Sequence, residues 1–425
     1  MQKINKRKWI HCRCLLGLIV SKILLETAYC FYISPIWGYT GFTLNISEIK
    51  FWESNLLLCI LSVTTGMLDY RPTHFFLQTQ LIVTILPMLS FYWLNDRERA
   101  YMYAVCLCHL LQWSLIKSRL THYKISYSRL TRNNMRKLIF LMTALVLALC
   151  IKKYGYPDLT ALDFTKVYEI RSRIIMGFPL TYIIPWFAKI VIPIGVIFSV
   201  DEKRYFSTAV MIGALFVFYL IFASKSFFFT AFLIIAVYTA CNMHILYECI
   251  YYMIPAVTIS GIALLKYYDM IMPISLFVRR VLFVPAELKF VYFDFFSKNI
   301  KNCFSDGQIG KIFGMKSNYA IGVAKTIGEY MGTESWANTG YLSDSYGEMG
   351  FAGMIILSVV IVIFLKALEL LTSDQKKILV ISASSLWIYS LNDSALLTAL
   401  LTGGGVILLL LFSACRGDKR RIKLE

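Results

Sequence analysis

One feature constrains this chain more than any other. Runs of roughly 17 to 25 apolar residues follow one another through most of its 425 residues. A helix of that length crosses the roughly 30 Å hydrocarbon core of a bilayer. We place twelve spans, at about 9–33, 54–70, 74–94, 100–116, 137–151, 176–199, 205–222, 226–241, 245–265, 350–371, 377–391 and 395–414. The fifth, eighth and eleventh are short enough to be tilted, extended or partial. Length alone would suggest two or three soluble domains. Composition overrides that: 58% of the residues are hydrophobic, where soluble domains are about half apolar. The expected fold class is an all-α polytopic integral membrane protein, a single membrane domain over 1–425. Within it, 9–265 holds the first nine spans, 266–349 a large outward loop, 350–414 the last three spans and 415–425 a basic tail.

The net charge of +18 would suggest nucleic acid in a soluble protein. In a membrane chain it follows from the collection of Lys and Arg in cytoplasmic loops, so nucleic acid is not an expected partner. The 117–137 loop carries Lys117, Arg119, Lys124, Arg129, Arg132, Arg136 and Lys137, and the tail adds Arg416, Lys419, Arg420, Arg421 and Lys423. Short loops on the opposite side carry fewer. Twelve spans put both basic termini on the cytoplasmic side. The MQKINKRKW start turns apolar with no small-residue cleavage site, so it is read as an uncleaved first helix. The 266–349 loop then faces outward. It is basic too, but loops beyond about 60 residues escape the charge rule, so topology does not explain its arginines.

Most of the eleven cysteines lie inside apolar runs, and Cys12 and Cys14 have no partner pair at metal-site spacing. Neither disulfides nor a metal are expected, and no cofactor. No fixed-period repeat is visible, which disfavours transporter folds built from repeated halves. There is no phosphate-binding G-x-x-x-x-G-K-[ST] loop, no H-E-x-x-H and no G-x-S-x-G. The histidines, at 11, 74, 109, 122 and 244, fall at or near the inner half and are poor bases for outward chemistry.

Three outward segments carry chemistry. In "EIRSRIIMGFPL", Arg171 and Arg173 either snorkel to the headgroups or bind an anion through guanidinium forks. In "SLFVRRVLFVPAELKFVYFDFFSKN", Arg279 and Arg280 interrupt an apolar, aromatic run that includes Tyr292. That suits a re-entrant or interfacial segment. It is either a plain amphipathic helix or one that aims an arginine at a lipid-borne phosphate. In "NTGYLSDSYGEMGFAG", Asn338, Tyr341, Asp344, Tyr346 and Glu348 stand at the mouth of the tenth span. Acids at a helix N-terminus are stabilised by its dipole, and glycines at 347, 350 and 353 permit close packing. Lys225 interrupts two apolar runs at another outward turn. Inside the spans, Lys22 and Glu26 stand four apart and are expected to pair.

The many spans, the late outward loop and N-x-G-Y-L-x-x-x-Y-x-E-x-G-x-x-G running into the next helix resemble the O-antigen and oligosaccharide repeat-unit polymerases, the Wzy family. The run from Arg279 to Phe296 and "EIRSRIIMGFPLTYIIPWF" are similar to that family's stretches; the resemblance covers roughly 165–360. It implies a membrane glycosyltransferase of GT-C-like architecture in the bacterial inner membrane. Its substrate would be a polyprenyl-diphosphate-linked oligosaccharide at the outer face. A chain-length regulator and a flippase of the same pathway are partners expected by resemblance. The related ligases carry a His near the position of Glu334 to Trp336, and none is here, so a ligase is the weaker reading. A lipid-linked oligosaccharide flippase is the other rival; it predicts more charge inside the spans than Lys22, Glu26, Lys189, Lys366 and Glu369.

Chemistry alone sets the roles. A diphosphate leaving group needs its charge neutralised, which fixed arginines do: Arg171 or Arg173 with Arg279 or Arg280, and Lys225 as a further cation. The acceptor hydroxyl needs orientation and a carboxylate base, for which the loop offers Glu334, Asp344 and Glu348. Asn338 and the tyrosines Tyr292, Tyr341 and Tyr346 would hold sugar hydroxyls.

Overall fold

The computed structural model describes residues 2–118, 130–163, 169–171 and 174–415, the side chains of 2–7, 308 and 311 apart. Arg173, most of the basic 117–137 loop and the tail from 416 lie outside the described residues. Among the described residues the chain is helical, with no strand beyond two isolated bridges.

Among the described residues, nine helices are long and apolar enough to cross a membrane. They are α1 (Lys8–Thr40), α3 (Pro72–Leu94), α5 (Arg132–Tyr154), α6 (Leu180–Asp201), α7 (Tyr205–Phe222), α8 (Lys225–Asn242), α9 (Leu246–Tyr268), α13 (Tyr341–Leu371) and α15 (Leu396–Ala414). Between them run α2 (Glu48–Leu61), α4 (Arg99–Lys117), α10 (Val284–Lys298), α11 (Gln308–Ile312), α12 (Val323–Tyr330) and α14 (Lys377–Ser390). The architecture is compatible with a polytopic membrane protein. Its periphery fits that: α5 exposes Leu138, Phe140, Leu141, Leu145 and Leu149, and α13 exposes Ile355, Ile356 and Ile363.

Helix α3 is the buried axis, with its whole apolar window inside the protein. A buried helix must satisfy its polar side chains internally. Gln78 donates to Thr64 O and Met67 O (2.8 and 3.0 Å) and accepts from Tyr251 Oη at 2.5 Å. Gln80 donates to Tyr341 Oη and Thr84 to Asn392 Oδ1, both at 2.6 Å. Four of the charges inside the spans are structural ties. Lys22 pairs with Glu26 at 2.5 Å, as its spacing predicts, and Trp93 of α3 also donates to Glu26. Glu369 accepts from Thr73 N and Oγ1, and Lys366 donates to Leu115 O and Ser118 O.

The bundle has two ends. The tail end gathers the turns before α3, α7, α9 and α14. His11 meets Thr65 there (3.1 Å), and Gln375 donates to Cys415 O (2.8 Å). The loop end gathers residues 38–47, 95–98, 269–340 and 391–395. Asn45 N bonds Leu94 O at 2.9 Å, and Tyr341 N bonds Leu391 O at 3.1 Å.

Helix α13 breaks at Met349 and Gly350, where Gly350 takes φ +65°, a backbone that a Cβ disfavours. The acid-bearing turns before the break are thereby set off from the apolar run after it. Gly347 sits where a Cβ would meet the Phe296 ring at 2.7 Å, so this glycine lets α13 close on α10.

Candidate functional site

Helix α10 is the shared wall of the loop end. It follows a π-helical stretch, Ile274–Phe283, that carries Arg279 and Arg280. Such wider turns shift side chains off the regular helical faces and recur at functional sites. On α10, Glu287 and Asp294 are seven residues apart and share one face. Pro285, Lys289, Tyr292 and Phe296 step by four, three and four along another.

The first face meets the 38–45 and 95–98 turns. Asn95 Nδ2 donates to Thr43 O and Oγ1 (2.6 and 2.8 Å), and Tyr29 Oη donates to Thr43 O (2.7 Å). These bonds fix Gly41 against Glu287. Gly41 has φ +100°, and a Cβ there would overlap Glu287 Oε1. The Glu287 side chain is 4% exposed and has no hydrogen-bond partner among the described residues. Burial pushes its carboxyl up to about 7, against the downward pull of Arg97 and Arg279. The Arg279 guanidinium lies 4.7 Å over the Trp37 ring, and its Nη2 donates to Ser275 Oγ at 3.3 Å. Burial, then the neighbouring Arg280, pushes the Arg279 pKa down. Arg97 lies 5.0 Å over Phe91 and pairs with Asp294 at 3.3 Å. The Nε atoms of Arg97 and Arg279 are buried and have no hydrogen-bond partner. Arg280 is exposed.

The second face meets the stretch around α13. Lys289 is buried and donates to Pro285 O (3.2 Å), Asn392 O and Asn392 Oδ1 (both 3.1 Å). Burial lowers its pKa to about 8, with Asp393 pulling the other way. Beside it lies a cavity of about 20 Å3, lined by Gln80, Thr84, Lys289, Tyr341 and Asn392 among others, space for a single water. Tyr292 Oη donates to Ala337 O at 2.8 Å. Burial raises the Tyr292 pKa, as do the charges of Asp344, Asp306 and Glu348 nearby.

The candidates from the sequence separate under this geometry. Asp344 and Glu348 come together with Asp306 near Tyr292. Glu348 is a clamp: both its oxygens accept from Asn302 Nδ2 (2.9 and 3.0 Å), and Phe304 N also donates to it. Asp344 is half-buried with no hydrogen-bond partner among the described residues. Tyr341 faces the bundle interior, where Gln80 and Gln112 donate to its Oη. The Tyr346 ring lies 3.8 Å from Lys301 Nζ. Asn338 and Glu334 are exposed; the Glu334 carbonyl accepts from Lys325 at 2.7 Å. Exposed Arg171 follows Ile170, which packs in a separate cluster with Ala161, Tyr219, Leu220 and Ala223. Lys225 opens α8 two residues after Ala223. That pair therefore stands beside α7, and Arg279 beside α1.

Sequence reasoning passed over Arg97, Trp37 and Glu287. Arg97 counts only as a loop charge in the linear chain, and nothing in the pattern aligns residue 37 with 279. Glu287 did carry a signal: an acid inside the same apolar run as Arg279. Among the described residues no cluster of three His, Cys, Asp or Glu could hold a metal ion. What the first face can do is bind an anion. Two guanidiniums with unpartnered Nε–H groups, each lying over an aromatic ring, suit a phosphate-like group. No family model, no curated protein and no solved structure matches the chain.

Proposed function

We propose that this protein joins polyprenyl-diphosphate-linked oligosaccharide units into a surface polysaccharide at the outer face of the bacterial inner membrane. The observation that carries the reading is Arg279. It is stacked on Trp37, holds one 3.3 Å side-chain bond and leaves Nε unpartnered, with Arg97 across the same buried carboxyl. Arg279 and Arg97 hold the donor diphosphate and neutralise the charge that develops as it leaves. The three carboxylates Asp306, Asp344 and Glu348 repel that group, so it belongs on the opposite face of α10. Exposed Asn338 at the loop end supplies hydrogen bonds for sugar hydroxyls. In this reading α2 with its following turn, α4 and α14 also cross, giving twelve spans of GT-C-like arrangement with both termini cytoplasmic.

The test is a gel of surface polysaccharide from a strain lacking the gene, complemented with the native chain or with Arg279→Ala. The native chain restores a ladder. The variant, at equal membrane abundance, leaves only the single repeat unit. A native ladder from Arg279→Ala sinks the assignment. Loss of even the single unit in the deletion strain favours a flippase or ligase.

A further inference from the structure

The two arginines flank a group that the binding of a diphosphate does not use. Glu287 is the buried carboxyl between them, and among the buried and half-buried acids of the described residues it shares its isolation with Asp344 alone, which has no arginine beside it. Glu348 is saturated by Asn302 and Phe304 N, Asp294 pairs with Arg97, and Asn392 Nδ2 donates to Asp393 Oδ1 at 3.0 Å. Asp201 pairs with Arg132 and Lys376 at the opposite end. Among the described residues Glu287 has neither an ion pair nor a hydrogen bond. Yet the Gly38–Thr40 turn and Gly41 are tied down directly over it through Thr43. A fold that needed only an apolar contact at this position would not bury a carboxyl there without a partner.

We propose that Glu287 is the carboxylate that takes the proton of the acceptor sugar hydroxyl. The proposal rests on the reading of Arg97 and Arg279 as the diphosphate site. The leaving diphosphate is a weak base and needs no proton, whereas the acceptor oxygen must lose one. As that oxygen bonds to the donor's anomeric carbon, the bond from this carbon to the diphosphate oxygen breaks. The diphosphate leaves with the electron pair, held by the guanidiniums, and the hydroxyl proton passes to a Glu287 oxygen and then to water. The groups facing Glu287 are Arg97 from the 95–98 turn, Arg279 from the π-helical stretch and the Tyr29 hydroxyl from α1. The two cations favour the ionised base. Burial keeps its basicity near neutrality, which suits a base that must accept a proton at ambient pH. Asp344 is the rival base, but it stands among carboxylates on the far face of α10, away from the arginines.

The experiment uses the full-length protein in membranes of the deletion strain, where lipid-linked units accumulate, and farnesyl diphosphate as the binding probe. Glu287→Gln is expected to slow polymerisation by about 100-fold or more, to abolish the rise in rate between about pH 6 and 8 and to retain farnesyl diphosphate binding. Native polymerisation by Glu287→Gln overturns the proposal. So does loss of farnesyl diphosphate binding by that variant, which makes Glu287 part of the anion site instead. Asp344→Asn removing the pH-dependent rise while Glu287→Gln keeps it moves the base to α13. Should Glu287→Gln fail to reach the membrane, Glu287→Asp decides. A shorter carboxylate is expected to slow the reaction and shift the rise, and native rate with native pH profile refutes the role. Arg279→Ala that still binds farnesyl diphosphate and polymerises defeats the underlying site, an outcome distinct from a failure of Glu287 alone.

Discussion

The two ends of the bundle use arginine differently. At the tail end, Arg132 gives Nη1 to Asp201 at 3.0 Å and Nη2 to Gln375, Lys376 reaches the same Asp201 at 2.7 Å, and Arg136 pairs with Glu202. Arg132 leaves its Nε free too, but each of these three cations is matched by a carboxylate. At the loop end, Arg279 has a hydroxyl for a partner, and the buried Glu287 beside it has no ion-pair or hydrogen-bond partner among the described residues. Matched charges lock helices together; unmatched ones keep their interaction energy for a ligand. Burying charge is costly in either case, so an arrangement that leaves the cost uncompensated points to function.

The contrast can be broken by substitution. Arg132→Ala takes one of two cations from buried Asp201 and leaves Lys376 in place, and should cost about 1.5–3 kcal/mol, read as a fall in membrane abundance and in thermal stability in detergent. The polymer made per molecule that remains should be unchanged. Arg279→Ala should do the reverse, with abundance kept and polymer lost. If both behave alike, the ends do not differ in role.

Next in size is the pH dependence of Glu287. Its folded pKa of about 7 lies above the ordinary value, so the folded state binds the proton more tightly than the unfolded one. Stability contributed by this group is therefore present at acid pH and falls as pH rises from about 4.5 to 7. Glu287→Gln should match the native protein at pH 4.5 and exceed it by up to about 3 kcal/mol above pH 7, seen in parallel denaturation curves. An equal pH slope in both proteins would contradict the burial of an unpartnered carboxyl.

Lys289 tests the second face. Its ammonium serves three acceptors, and Lys289→Ala removes these bonds, with Thr84 still donating to Asn392 Oδ1, a loss of about 1–3 kcal/mol. Because Tyr341 N bonds Leu391 O beside it, hydrogen exchange should quicken in the 391–395 turn. The smallest effect belongs to Glu334. It is exposed, so Glu334→Ala should change stability by less than about 0.5 kcal/mol and leave the polymer ladder intact. A lost ladder would bring the 334–338 loop into the site.

The helical elements were legible because lipid leaves the backbone few choices. Apolar runs at 74–94, 205–222 and 226–241 coincide with α3, α7 and α8 within a residue or two at either end. Differences arise where polar residues hide a helix. Helix α2 begins at Glu48 rather than near 54, since its first turns carry Glu48, Lys50 and Glu53, and α5 runs from Arg132 because its basic first turn pairs with Asp201 and Glu202. At the loop end, Arg279 and the stretch around Asp344 were visible as charges out of place in apolar surroundings. Their grouping was not. The sequence sets Arg279 and Asp344 in one long loop, and the fold puts them on opposite faces of α10.

By itself, then, the sequence determined that the chain is a helical bundle with basic termini and a long loop rich in arginine and aromatic residues. The physical reason is local: an apolar run long enough to span must close its hydrogen bonds within itself. Only the tertiary structure decided which charges are matched. Pairings such as Arg97 with Asp294, Trp37 with Arg279 and Gly41 with Glu287 join residues roughly 200 or more positions apart in the chain. They depend on how helices pack and where turns fall, and no periodicity along the chain encodes that.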